Sequence, residues 1–224
     1  FGYEYTGTDS DTSYNLYRDG SKVASVTDST NYLDASGTSS SKYTVTCVLK
    51  GTEGPQSPAA SVWAQQYTSI PLSPPSGSYS ANDGAPGDLD GDGKLDIVLK
   101  WDPSDAKDNS QSGVTSNVYV DGYTLAGTRL WRIDLGPNIR AGAHYTQMSV
   151  YDFDGDGKAE FAVKTAPGTK DGTGAYLSKG PAASDDDSAV YRNGDGYILT
   201  GPEYTTVFNG ADGKELATID FPVP

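Results

Sequence analysis

Apolar and polar residues alternate along most of the chain, in short runs that turn-forming residues separate. In YTVTCVLK every second residue from Tyr43 to Leu49 is apolar or aromatic. In LDIVLKWD the odd-numbered residues from Leu95 to Trp101 are apolar, whereas the even-numbered ones from Asp96 to Asp102 are mostly charged. A period of two places successive side chains on opposite faces of a strand, and no segment shows the 3.6-residue period of a helix. The chain is therefore predicted to be all-β.

Residues 1–66 are predicted to form a small β-sandwich. Asp19-Gly20, a dipeptide typical of tight hairpin turns, separates the alternating runs YNLYR and SKVASV. A tyrosine-centred strand then leads into the turn sequence GTEGP. This order resembles a fibronectin type III module, which usually begins with one more strand, so we expect the first strand to be missing. Cys47 is the only cysteine, which excludes an intrachain disulfide, and we expect it to be a small core residue.

Residues 67–224 form the second predicted domain, which follows a proline-rich seam. GDLDGDGKLDIVLKWD returns there as YDFDGDGKAEFAVKTA, and the first aspartates of the two loops, Asp88 and Asp152, lie 152 − 88 = 64 residues apart. Each copy continues into a long polar loop and a second hairpin, a pattern that indicates β-propeller blades with a loop insertion. Two blades cannot close a ring, so we expect further blades in the same or a second chain.

The two repeated loops carry carboxylates at a fixed spacing. Positions 1, 3, 5 and 9 are Asp88, Asp90, Asp92 and Asp96 in the first loop, and Asp152, Asp154, Asp156 and Glu160 in the second. Like charges on alternate residues of a tight turn repel each other, and Ca²⁺, which takes about 6–8 oxygen ligands in loose geometry, relieves that repulsion. The position-7 ligand would be the backbone carbonyl of Lys94 or Lys158. Each loop is therefore a predicted calcium site.

Other readings of these loops are weaker. An EF-hand needs a glutamate at position 12 and flanking helices, whereas position 12 is Leu99 or Val163 within a strand-like run. Magnesium prefers near-ideal octahedral geometry with retained waters. The remaining alternative is a pair of Asp/Gly turns with exposed acids.

Net charge limits the partners of the chain. With 16 Lys plus Arg against 30 Asp plus Glu, the formal charge is −14, which disfavours nucleic acid and anionic membranes as partners. No apolar run approaches the ~18–20 residues of a membrane span. The single histidine, His144, makes a Ser-His-Asp hydrolase or a histidine-rich zinc site improbable, and its own role stays open between sheet structure and ligand contact.

Several residues near the loops have two interpretations. Lys100 and Lys164 are either ion-pair partners of the acids or ligands for an anionic sugar. Arg140 is either an anion contact or half of a surface ion pair, and Trp101 is either a core residue or a sugar-stacking platform. The second copy also holds an insertion, 172–203, whose acidic run SDDDS is expected to be a solvated loop.

Four stretches resemble polysaccharide lyase family 11, the bacterial rhamnogalacturonan lyases: SANDGAPGDLDGDGKLDIVLKWDPSDAKDNSQSG, LWRIDLGPNIRAGAHYTQ, VYDFDGDGKAEFAVKTAPGTKDGTG and GYILTGPEYTTVFNGADGKELATID. The resemblance implies a secreted, extracellular enzyme with a fibronectin-III-like domain, an eight-bladed propeller and several calcium ions. Its substrate would be the pectic polysaccharide rhamnogalacturonan I, cleaved at rhamnosyl-(1→4)-galacturonosyl bonds by β-elimination, more as an endolyase than as an exolyase.

The same resemblance assigns roles to two residues. It implies that Asn82, in the SAND motif, and Asp102, in the KWD motif, contact rhamnose. It also implies that the catalytic residues lie beyond Pro224, in later blades. The alternative is a non-catalytic calcium-binding propeller, similar to integrin repeats, that serves adhesion or glycan binding. The long polar loops favour the lyase.

Overall fold

The computed structural model describes residues 11–65, 67–143 and 145–222. Its backbone divides into two units between Ser69 and Ile70, close to the predicted boundary at 66/67, and each unit is described by itself. Apart from one 3-10 helix at Gly180–Ser184, every element of the described residues is a strand. The prediction of an all-β chain is confirmed.

The first unit forms one five-stranded antiparallel sheet. Its strands are β1 (Thr12–Arg18), β2 (Ser21–Val26), β3 (Lys42–Leu49), β4 (Thr52–Glu53) and β5 (Ala60–Ser61). They pair in the order β2-β1-β3-β4, with β5 also paired to β3. The turn between β1 and β2 is the predicted Asp19-Gly20 hairpin, in which both residues adopt the positive φ that such a turn requires (51° and 82°).

The two faces of this sheet differ in polarity. Tyr14 pairs with Cys47 on the apolar face, where the thiol residue is half-buried instead of fully enclosed in a core. On the other face the Tyr17 and Thr46 hydroxyls both donate to Glu53 Oε1, each at 2.5 Å. Within residues 11–65 all strands belong to one sheet, so the second sheet of a sandwich is not among them. The fibronectin-III-like sandwich remains a prediction.

The second unit holds two four-stranded antiparallel sheets. The first contains β6 (Tyr79–Gly87), β7 (Asp96–Pro103), β8 (Tyr119–Thr124) and β9 (Arg129–Asp134), and the second β10 (Met148–Tyr151), β11 (Glu160–Thr165), β12 (Tyr204–Phe208) and β13 (Glu215–Asp220). Each sheet follows chain order, as a propeller blade does. In both sheets the acidic loop joins the first two strands. Ring closure needs more than two blades, so the propeller remains a prediction.

The main core lies between these two sheets. Trp131 and Phe208 each stack with Phe161, with ring centroids 5.9 Å apart in both pairs. The Trp131 indole N–H donates to the Gly210 carbonyl at 2.6 Å, and a side chain at residue 210 would meet the Ala159 carbonyl oxygen at 1.9 Å. Only glycine therefore permits the turn after β12 to lie this close to Ala159 of the same sheet, and a side chain there would also lie 2.9 Å from the Leu89 carbonyl oxygen of the first acidic loop.

The alternation read from LDIVLKWD is present in β7. Val98 belongs to the main core, whereas Leu99 and Trp101 face a second cluster with Tyr123. Trp101 is 2% exposed and its indole N–H donates to Asp121 at 2.8 Å. The interpretation of Trp101 as a core residue is confirmed.

The insertion at 172–203 is tied to the long loop of the first sheet. The Asp195 carbonyl accepts the Gly113 N–H at 2.7 Å, and Arg192 donates to the Thr115 carbonyl at 2.8 Å. Within the acidic run, Asp185 accepts the Tyr204 hydroxyl in a short hydrogen bond. The residues of the acidic run are exposed or half-buried, as expected of a solvated loop, while contacts to residues far along the chain hold the insertion in place.

Candidate functional site

The first acidic loop is folded by its own carboxylates. Asp88 Oδ1 accepts the backbone N–H groups of Gly91 at 2.8 Å and Asp92 at 3.1 Å, and Oδ2 accepts that of Gly93 at 2.8 Å. Asp90 Oδ1 accepts the Asp92 N–H at 3.1 Å. Gly91 and Gly93 adopt φ of 79° and 81°, which residues with a Cβ rarely take. The chain is thereby wrapped around its position-1 carboxylate.

The second loop repeats this pattern at the corresponding atoms. Asp152 Oδ1 accepts the N–H groups of Gly155 at 2.7 Å and Asp156 at 3.1 Å, and Oδ2 accepts that of Gly157 at 3.0 Å. Asp154 Oδ1 accepts the Asp156 N–H at 3.1 Å. The sequence repeat is therefore a repeat of loop conformation.

Three acids converge in each loop. The groups are Asp88, Asp90 and Asp96 in the first loop, and Asp152, Asp154 and Glu160 in the second; in each, one carboxylate oxygen per residue lies within 4.8 Å of the others. All six are among the predicted ligands. The spacing of 1, 3 and 9 along the sequence is thus a real clustering of oxygens in space.

The position-9 acids are buried at the start of their strands. Asp96 is 3% exposed and accepts the Leu89 N–H at 3.0 Å; Glu160 is 5% exposed and accepts the Phe153 N–H at 2.8 Å. Burial raises the pKa of both carboxyls, and the neighbouring acids of each loop raise it further. A cation at the convergence point would relieve both effects.

The position-5 acids lie outside the two convergent groups. Asp92 Oδ1 accepts the Lys94 N–H at 2.9 Å, and Oδ2 pairs with Lys94 Nζ at 2.6 Å. This hydrogen bond lowers the pKa of the Asp92 carboxyl. Asp156 Oδ1 likewise accepts the Lys158 N–H at 2.8 Å. The roles of Asp92 and Asp156, and of the Lys94 and Lys158 carbonyls, as metal ligands stay predictions.

The donor atoms of both groups suit calcium. All are carboxylate oxygens, which hard cations prefer, and neither group contains the imidazole or thiolate that zinc favours. The convergent, partly buried oxygens fit Ca²⁺ by chemistry and spacing.

The two residues that the resemblance assigns to rhamnose lie on adjacent strands. Asn82 falls in the β-bulge of β6, where the register with β7 shifts between Ala81 and Gly84, and its side chain is exposed. Asp102, near the end of β7, pairs with Ser80. The bulge leaves Asn82 outside the regular ladder, at the same end of the sheet as Asp102.

Lys100 and Lys164, which occupy the same position in the two copies of the repeat, have partners that the sequence did not predict. Lys100 is fully buried; its Nζ donates to the Gly142 carbonyl at 3.0 Å and lies 3.1 Å from Asp102 Oδ1. Lys164 Nζ pairs with Glu203 at 2.6 Å. Both lysines form ion pairs, but with acids outside the loops. Gly142 and Glu203 lie 42 and 39 residues from their lysines, so no local pattern could have identified them.

Arg140 forms no surface ion pair among the described residues, and its role as an anion contact stays a prediction. It is 4% exposed, and it donates to the carbonyls of Asp108 at 3.1 Å and Gln111 in a short hydrogen bond, and to the Tyr145 hydroxyl at 3.0 Å. The guanidinium therefore fastens the long loop of the first sheet. His144 lies outside the described residues. Among those described, no helix is long and apolar enough to cross a bilayer.

A family model described as "Rhamnogalacturonan lyase family 11, C-terminal domain" matches residues 67–224. The chain belongs to the family 11 rhamnogalacturonan lyases. A second model, "Rhamnogalacturonan I lyases beta-sheet domain", matches residues 2–63. The predicted family is confirmed.

Named relatives from this family are similar to the chain over nearly all of its length. Rhamnogalacturonan endolyase YesW of Bacillus subtilis is 56% identical over 93% of the chain and 34% of the relative. Rhamnogalacturonan exolyase YesX of the same organism is 48% identical over 99% of the chain and 37% of the relative. The structure of the Bacillus licheniformis rhamnogalacturonan lyase gives a TM-score of 0.74 at 52% identity, over 95% of the chain and 37% of that protein. The chain thus spans about a third of the length of these relatives.

Proposed function

We propose that this chain is part of a secreted rhamnogalacturonan lyase that cleaves rhamnosyl-(1→4)-galacturonosyl bonds of rhamnogalacturonan I. The observation that carries the proposal is the family 11 match over the whole two-sheet unit. YesW is named an endolyase and YesX an exolyase, and the higher identity to YesW favours internal cleavage. A polymeric pectin substrate supports a site of action outside the cell.

The proposed reaction is a β-elimination on galacturonate. A base removes the C5 proton, the C4–O4 bond breaks, a C4–C5 double bond forms, and the departing rhamnosyl oxygen takes up a proton. Negative charge develops beside the uronate carboxylate, so cationic groups must stabilise the transition state. Within this chain, Asn82 and Asp102 are proposed to hold the rhamnose, which orients the scissile bond. The base is not assigned to a residue of this chain.

The two acidic loops are proposed to bind calcium for a structural purpose. When bound, Ca²⁺ supplies positive charge that offsets the repulsion of the convergent carboxylates. The first loop ends at Asp96, where β7 begins, whereas Asp102 is six residues further along that strand. At ~3.3 Å per residue, the two points are ~20 Å apart. The loop acids therefore hold the sheet together and are too distant to act on a sugar beside Asp102.

The test is incubation of the native gene product with rhamnogalacturonan I while ultraviolet absorbance follows the new double bond. Homogalacturonan, which lacks rhamnose, is the matched control polymer. We expect unsaturated product from the first polymer only, and a rapid fall in chain length if cleavage is internal. Absence of unsaturated product would refute the lyase proposal, and binding without product would support the adhesive alternative.

A further inference from the structure

Lys100 is a charged side chain with no exposed surface. An ammonium group taken out of water is costly unless it is paired and hydrogen-bonded. Its Nζ has two partners, the Gly142 carbonyl at 3.0 Å and Asp102 Oδ1 at 3.1 Å. The carbonyl is itself confined, because a Cβ on Gly142 would lie 2.2 Å from the Lys107 carbonyl oxygen. The ammonium is therefore held by a fixed backbone carbonyl and also contacts the Asp102 carboxylate.

Asp102 presents its two carboxylate oxygens to different surroundings. Oδ1 is buried and accepts no regular hydrogen bond, so the Lys100 ammonium is the polar group that compensates it among the described residues. The side chain as a whole keeps 17% of its surface exposed, and that exposed part excludes Oδ1. Lys100 and Asp102 are two residues apart on β7 and so share one face of the strand.

We infer that Lys100 is a positioning residue: it holds Asp102 Oδ1 inward so that the rest of the carboxylate faces the sugar. This inference rests on the proposed function, in which Asp102 contacts rhamnose. Without the ammonium, the carboxylate would be free to rotate about χ1 and χ2, and a directional hydrogen bond to a sugar hydroxyl would lose its alignment. Lys100 has no exposed surface, so it cannot touch the sugar itself, and its effect on a sugar at Asp102 passes through that carboxylate.

The sequence repeat supplies an internal comparison. Lys164 occupies the position of Lys100 in the second copy, but Ala166 stands where Asp102 would be. Lys164 pairs instead with Glu203 at 2.6 Å and keeps 29% of its side chain exposed. A lysine at this strand position therefore forms an ion pair in both sheets, and only Lys100 is joined to a proposed sugar contact. Lys164→Met is accordingly the matched control for Lys100→Met.

The experiment measures lyase kinetics of the native gene product and of its variants, at a temperature well below their melting points. We expect Lys100→Met to raise KM for rhamnogalacturonan I by about tenfold, the loss that follows a misaligned hydrogen bond to a charged group, with kcat changed less than about twofold. Lys164→Met should leave KM unchanged. In the Asp102→Asn background, Lys100→Met should add less than about twofold, because the carboxylate that it positions is already gone.

Each outcome decides the inference. Equal KM values for Lys100→Met and Lys164→Met, or additive effects of Lys100→Met and Asp102→Asn, would overturn it. If Lys100→Met does not fold, Lys100→Gln, which keeps a donor and removes the charge, takes its place in the same cycle with the same expectation. An inactive wild-type protein would refute the proposed lyase function itself, whereas an active wild type with indifferent variants would refute only the positioning role.

Discussion

Calcium should stabilise the two-sheet unit through both acidic loops, and the proposal can be tested one loop at a time. Asp90 and Asp154 each supply one of the three convergent carboxylates of a loop. A ligand that binds only the folded state at ~100 times its Kd adds ~2.7 kcal/mol of stability. For a unit of this size, 1 kcal/mol moves Tm by ~2–4 °C, so each filled loop should add ~5–10 °C.

The assay is thermal unfolding of the wild type and of Asp90→Ala, Asp154→Ala and the double variant, each with calcium, with magnesium and with a chelator. Each single variant should lose about half of the calcium-dependent shift in Tm, and the double variant should lose all of it. Asp220→Ala, which removes an exposed acid from β13, is the control and should respond to calcium as the wild type does. A wild-type Tm that is the same with calcium and with chelator would refute the reasoning.

Three further outcomes are expected. Asp121→Ala should lower the free energy of unfolding by about 3 kcal/mol in denaturant titrations. The substitution removes a fully buried carboxylate that accepts two hydrogen bonds from the partly exposed guanidinium of Arg132. An unchanged midpoint of unfolding would contradict this expectation. Hydrogen bonds, first from Asn15, lower the pKa of Glu53 from 4.5 to about 2, so its stabilising contribution is complete above pH 4.5 and disappears as the pH falls toward 2. Glu53→Gln should make the melting temperature less dependent on pH between about 2 and 4.5. If the variant loses as much melting temperature as the wild type over that range, Glu53 is not the cause of the loss. Asn82→Ala should weaken substrate binding with little change in Tm. Asp102→Ala should weaken binding and also lower Tm, because the buried Lys100 ammonium loses its carboxylate partner. Equal Tm values for the two variants would count against the Lys100–Asp102 ion pair.

Local patterns accounted for the parts of the fold that local chemistry determines. The Asp19-Gly20 turn is a two-residue signal, and the acidic loops are folded by hydrogen bonds within six residues, so both are readable from sequence. The alternation in β7 likewise predicted that Trp101 is buried.

The parts that sequence reasoning missed depend on distant contacts. The contact of Lys100 with the Gly142 carbonyl, the pairing of Lys164 with Glu203 and the attachment of the insertion to Thr115 join residues 39 to 77 positions apart. No spacing rule links such residues, because their proximity arises only after the two sheets have packed. For the same reason two copies of a repeat do not determine whether a ring of blades forms or how many blades it would have.

The core between the two sheets has a consequence for how the polypeptide folds. Trp131 is synthesised with β9, yet its indole N–H is satisfied by Gly210, 79 residues later. The first sheet therefore cannot complete its apolar face until the turn after β12 has been made, and that face stays open to misassociation in the interval. Such long-range closure predicts slow folding, and renaturation of this unit should be limited by the docking of the second sheet, not by hairpin formation.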